Sequence, residues 1–72
     1  MHFGNIVKNY NHSLGLSAED LSAMLGRTVS EILHLFEKRF WNMEHIEAVS
    51  VAYNHNFMHY LENSQRYQNP GL

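Results

Sequence analysis

Six histidines among 72 residues are the first side chains able to do chemistry near neutral pH. His55 and His59 stand four apart, the spacing at which one helix face offers two imidazoles to a metal ion. A zinc site needs at least three protein ligands; there is no Cys, and no third ligand is evident. Asn56 also reads as a helix start, which leaves His55 outside the helix. No metal site is predicted. The other His and Glu residues come without a Ser or Cys nucleophile motif and without a Gly-rich phosphate loop. Neither catalysis, nor a cofactor, nor a small-molecule substrate is expected. What remains is a polar set around one short helix, and its chemistry depends on how that helix is presented.

Size sets the frame for that helix. A chain of 72 residues allows one small domain, burying only about 60% of its unfolded surface, so its core must be dense or completed by a partner. The 44% apolar content is compatible with a dense core, and without Cys no disulfide can substitute for it. The start "MHFGNIVKNY" lacks the apolar run of a signal peptide, and no segment approaches a membrane span. A soluble cytoplasmic protein is expected. The net charge of −2 gives no support to a nucleic-acid role. The single Pro, Pro70, lies in the polar stretch "SQRYQNPGL", which is expected to fray over 64–72 beyond a domain of residues 1–63.

Helical periodicity runs through the rest. Phe3, Ile6, Val7 and Tyr10 make an amphipathic first helix, and Gly15 in "SLGL" is its natural C-terminal cap. Ser17 caps a second helix with apolar face Leu21, Met24 and Leu25, and Leu16 and Leu21 stand at staple spacing. Gly26, able to take positive φ, stops it. Thr28 and Glu31 form a Thr-x-x-Glu capping box, in which the Glu side chain reaches back to the Thr28 amide. Ile32, Leu35 and Phe36 are the buried stripe of this third helix. A fourth begins after Asn42, with Trp41 and Ile46 at staple spacing and an apolar stripe of Met43, Ile46, Val49 and Tyr53. Asn54 closes it in the left-handed conformation, and Asn56 caps a fifth carrying Phe57, Tyr60 and Leu61. No alternating strand pattern competes. The prediction is all-α, with five short helices.

Within this register Leu21, Ser22, Gly26, Ile32 and Leu35 fall where the helix-turn-helix of a known family has its core and turn. The small Ser22 lets two helices approach, Gly26 makes the turn, and Ile32 plugs the angle between them. "GLS" before the second helix, "WNMEHIEAVSVAYN" and "FMHYL" extend the likeness over roughly residues 2 to 61. The chain therefore resembles the phage repressor and Cro-like (XRE-type) regulators. It departs from their pattern at Arg27, where an aliphatic is usual, at Ser22 for Ala, at Ala18 for a phosphate-contacting Gln, and at Leu33 and Glu37.

The resemblance implies a compact five-helix repressor-like domain, with helices 2 and 3 as the helix-turn-helix. It also implies a sequence-specific transcriptional regulator that lays helix 3 in the major groove of double-stranded DNA. By register, Val29, Ser30, Leu33 and His34 would read bases, and Arg27, Thr28, Lys38 and Arg39 would meet phosphates. Val29 stands equally to fill core space that Arg27 vacates, Ser30 and His34 to be ordinary solvated residues, and Lys38–Arg39 to be a solvated helix end. Residues 17 to 37 hold four carboxylates against Arg27 alone, and Lys38 and Arg39 offset two of them. Few phosphate contacts mean weak binding by one copy, which paired half-sites rescue. A homodimer is expected, with Phe57, Met58, Tyr60 and Leu61 as its interface unless they close the core. The alternative is a protein-interaction module that keeps the fold and docks a protein on Val29 and Leu33, having lost DNA binding.

Overall fold

The computed structural model describes residues 1–60, and these are all-α. Helices α1 (Phe3–Ser13), α2 (Ala18–Leu25), α3 (Val29–Glu37) and α4 (Met43–Tyr53) follow in order, and residues 58–60 are again helical. Leu61 and the stretch 64–72 lie outside the described residues. The chain divides into two units, Met1–Asn42 and the remainder from Met43. No helix among the described residues is long and apolar enough to cross a membrane.

In the first unit, side chains close by in sequence set each helix end. Nδ1 of His2 accepts the Asn5 N–H at 3.0 Å and caps α1. Gly15, at φ 75°, ends it: its N–H meets the His12 carbonyl at 2.9 Å, and the Leu16 N–H meets the Asn11 carbonyl at 3.1 Å. Ser17 and Asp20 form a full capping box at the start of α2, with Ser17 N–H to Asp20 Oδ2 at 2.8 Å and Asp20 N–H to Ser17 Oγ at 3.1 Å. Gly26, at φ 65°, turns the chain into α3, and the Arg27 N–H returns to the Ser22 carbonyl at 3.0 Å. Thr28 caps α3 by accepting the Glu31 N–H at 3.1 Å. The reciprocal arm differs from expectation: the Glu31 carboxylate takes the Thr28 hydroxyl at 3.3 Å and faces Arg27 at 3.5 Å, rather than the Thr28 amide.

Packing between helices rests on residues that periodicity does not single out. Asn11 is buried at 3% exposure, and its Nδ2 donates to the Leu16 and Ser17 carbonyls at 3.2 and 3.1 Å. One side chain thereby ties the end of α1 to the start of α2. At the other end of α1, the Phe3 and Gly4 N–H groups donate to the Arg39 and Lys38 carbonyls at 2.9 and 3.0 Å. The Trp41 indole N–H takes the Leu35 carbonyl at 2.9 Å, and its ring meets Phe3 edge-on at 5.1 Å. A Cβ at Gly4 would collide with the Phe36 carbonyl oxygen and approach those of Lys38 and Leu35 to 2.6 and 2.7 Å. Phe3, Val7, Leu21, Ile32, Leu35 and Phe36 fill the space these bonds enclose. Met24, expected on the buried face of α2, is instead 43% exposed.

In the second unit α4 buries Ile46 and Val49, while Met43 stays exposed against expectation. Asn54 takes φ 52°, as expected for the helix end, and the His55 N–H returns to the Ser50 carbonyl at 3.0 Å. The Ser50 hydroxyl donates to the Ile46 carbonyl at 2.8 Å and accepts the Phe57 N–H at 3.2 Å, joining α4 to the turn after it. Asn56 Oδ1 accepts the Met58 N–H at 3.1 Å, a cap where one was expected.

The two kinds of glycine should respond differently to one methyl group. Gly26 has nothing within 4 Å of the added Cβ, so Gly26→Ala should cost only the left-handed conformation, about 1 kcal/mol. Gly4→Ala must displace backbone and should cost more, about 3 kcal/mol, the upper end for overpacking. Thermal melts of both variants check the order; equal losses would remove the close approach of α1 to α3 from the account.

Candidate nucleic-acid interface

Helix α3 turns Ile32, Leu35 and Phe36 inward, so the helical period sends Ser30, His34 and Glu37 to the opposite side. All three are exposed. Leu33, 52% exposed, lies on the flank of this face, and Val29 beside it is half-buried. Val29 is therefore partly packed and partly open to solvent. At nine residues the helix is about 13 Å long, short enough for one groove to hold it whole.

The expected phosphate contacts bracket the face from its two ends. Arg27 and Thr28 precede it; Lys38 and Arg39 follow it, and all four are exposed. Their present engagements differ. The Thr28 hydroxyl is held by the helix start, and Arg27 faces Glu31 across 3.5 Å with both side chains over 40% exposed. An exposed pair of this kind contributes about 0–1 kcal/mol, so a phosphate can displace it. For Lys38 and Arg39 it is the backbone carbonyls that are fixed by α1, which sets where their side chains emerge.

Two helix starts that could receive phosphates already hold carboxylates. The N-terminus of α2 carries Glu19 and Asp20, and that of α3 carries Glu31. Two Ser17 donors, the backbone N–H first and then the hydroxyl, hold the Asp20 carboxyl below its ordinary value of 3.8. On the outer face Glu37 adds a further negative charge one turn after His34. The outer face is polar but not strongly basic.

The expected dimer residues are placed differently. Phe57 is fully buried, packed at 4.8 Å from the His55 ring, 5.9 Å from Tyr53 and 6.0 Å from Tyr60, which is the core placement that the sequence left open beside the interface. It closes the core because its neighbours on both sides in sequence fold their rings around it. Met58 and Tyr60 are half-buried, and Leu61 lies outside the described residues. His55 and His59 both neighbour the Tyr60 ring, and no group of three metal-ligating side chains occurs among the described residues.

Sequence reasoning passed over Lys8. It lines a concavity of about 400 Å³ on the first unit, together with Leu33, Phe36, Leu16 and Ala18. The signal was available: residues 1 to 18 contain no carboxylate at all. Phe40, 81% exposed, likewise belongs to no helical stripe of the sequence. No family model matches the chain, and no curated protein or solved structure does.

The Asp20 cap has a pH signature. A carboxyl whose value is lowered by folding adds stability that is complete above the ordinary carboxylate range and is lost as pH falls through the lowered value. Melting temperature measured from about pH 5 down to about pH 2 should fall less steeply in Asp20→Asn than in the wild type. Parallel curves would show that the carboxylate carries no folding-linked proton.

Proposed function

We propose that the chain is a sequence-specific DNA-binding regulator of the phage repressor and Cro-like type, acting in the cytoplasm, with α3 read into the major groove. One observation carries this reading. The α2–turn–α3 unit buries one side of α3 and leaves the other in solvent, with Ser30 and His34 at its centre and cations before and after it. Hydroxyl and imidazole groups on such a face are able to hydrogen-bond base edges, and Leu33 and the free part of Val29 offer apolar contact to a thymine methyl.

The electrostatics determine how strong this binding is. Between Ser17 and Arg39 four carboxylates face three cations, and Asp20 and Glu31 are spent on helix starts. Few counterions are released, so a single copy binds weakly and depends on a second half-site for useful affinity. A second reading, a protein-interaction module without DNA binding, is favoured by Glu37 on the outer face and by the exposure of Leu33 beside a groove.

Selection from random duplexes followed by titration separates the two. On a selected site, Ser30→Ala and His34→Ala should relax preference at particular base pairs, each by about 1–3 kcal/mol. Lys38→Ala and Arg39→Ala should weaken every sequence alike and reduce the salt slope by about one unit each. Failure to enrich any sequence, with no retardation of duplex at low salt, would transfer the case to the interaction module.

A further inference from the structure

The concavity beside Leu33 has two chemically distinct walls. One is apolar, from Leu33 and Phe36 of α3, with Leu16 and Ala18 at one end. The other is the face of α1 carrying His2, Asn5, Lys8, Asn9 and His12, side chains rich in N–H donors and free of carboxylates. A second concavity shares Lys8, Leu33 and Phe36 with the first and extends it to His2 and Glu37. Together they follow α1 over some ten residues, about 15 Å of helix. Its complement is a helix of about three turns with apolar and acidic side chains on one face.

The chain itself supplies such a helix. Helix α4 has 11 residues, about 16 Å, and buries Ile46 and Val49 on one side. Its other side exposes Met43 at 52% and Val51 at 80%, with Glu44, Glu47 and Ala48 among them. Among the described residues no ion pair engages Lys8, Glu44 or Glu47. Length and apolar content match the groove, and the acidic charge matches its α1 wall, Glu37 standing on the opposite side at the far end.

We infer that the α1–α3 groove receives α4 of a second copy of this chain, with the exposed Leu33 and the small open edge of Phe36 on the groove floor against Met43 and Val51, and Lys8 facing Glu47. The surface is distinct from the one around Phe57, which is closed within its own core. The inference does not rest on DNA binding. Phosphate is a poor occupant of this groove, since Leu33 and Phe36 gain nothing from it and Lys8 is the one permanent cation on the donor wall. Self-association here covers Leu33, at the flank of the face proposed to read DNA, and so sets the two against each other.

Sedimentation equilibrium over a wide concentration range tests it without DNA. The wild type should gain mass with concentration. Lys8→Glu or Glu47→Lys, both at exposed positions, should each weaken association by about tenfold through like-charge contact, and the double swap should restore it to within about threefold. Leu33→Asn should weaken it with no charge change, and circular dichroism melts confirm that each variant is folded. A wild type that stays monomeric throughout, association indifferent to both charge reversals, or a double swap as weak as the single variants would overturn the inference. If Lys8→Glu leaves sedimentation unchanged but reduces DNA retardation, the groove is a phosphate site and the proposal fails.

Discussion

The first turn of α1 sits on the carbonyl end of α3, and the arrangement of the first unit depends on that contact. The last carbonyls of a helix have no partners within it, and buried ones must find donors elsewhere. Here Phe3 and Gly4 N–H groups supply Arg39 and Lys38, and the Lys38 N–H and the Trp41 indole supply Leu35. The same contact pairs the positive start of one helix with the negative end of another, a favourable alignment of their dipoles. Only a residue without Cβ lets the backbones come this near, which is why position 4 is Gly. With Asn11 fixing the opposite end of α1 to the start of α2, the helix–turn–helix is held from outside at two points. Its outer face is then free of packing duties.

That freedom has an electrostatic counterpart. Asp20 takes the Ser17 N–H at the start of α2, Glu31 takes the Thr28 hydroxyl at the start of α3, and each puts a negative charge where an external anion would sit. The unit gains local stability and gives up part of its attraction for phosphate. Lys8, Lys38 and Arg39 are the uncommitted cations of this region among the described residues, and they emerge from two different helices' surroundings. The result is a face whose hydrogen-bonding groups suit base edges better than its charge suits the backbone of a duplex.

The helices and most of their ends were legible in the sequence because those signals are local. Gly15, Ser17, Gly26, Thr28, Asn54 and Asn56 act on groups within a few residues, and each is found in the role its spacing gave it. Gly4, Asn11 and Ser50 are marked by no local signal, and Trp41 is marked only by its staple spacing to Ile46, not by its bond to the Leu35 carbonyl. Gly4 has its partners more than thirty residues away, while the others bond carbonyls or amides that no period marks out. Periodicity also ranks apolar residues without saying which surface covers them. It therefore leaves Phe57 open between an interface and the core, where its neighbours bury it, and puts Met24 and Met43 in stripes that leave them exposed. For the candidate site, the exposure of Ser30, Leu33 and His34 followed from the phase of Ile32, Leu35 and Phe36, whereas the engagement of Arg27 with Glu31 needed coordinates.

In the proposed function, α1 holds α3 so that its outer face alone meets a duplex. Amide chemical-shift mapping of the labelled protein during titration with a double-stranded DNA of mixed sequence addresses it residue by residue. The account predicts shifts concentrated at residues 27–34 and 38–39, with Val7, Asn11 and the rest of the buried face of α1 unmoved. Shifts confined to the Lys8 wall or to α4, or none at low salt, would contradict it.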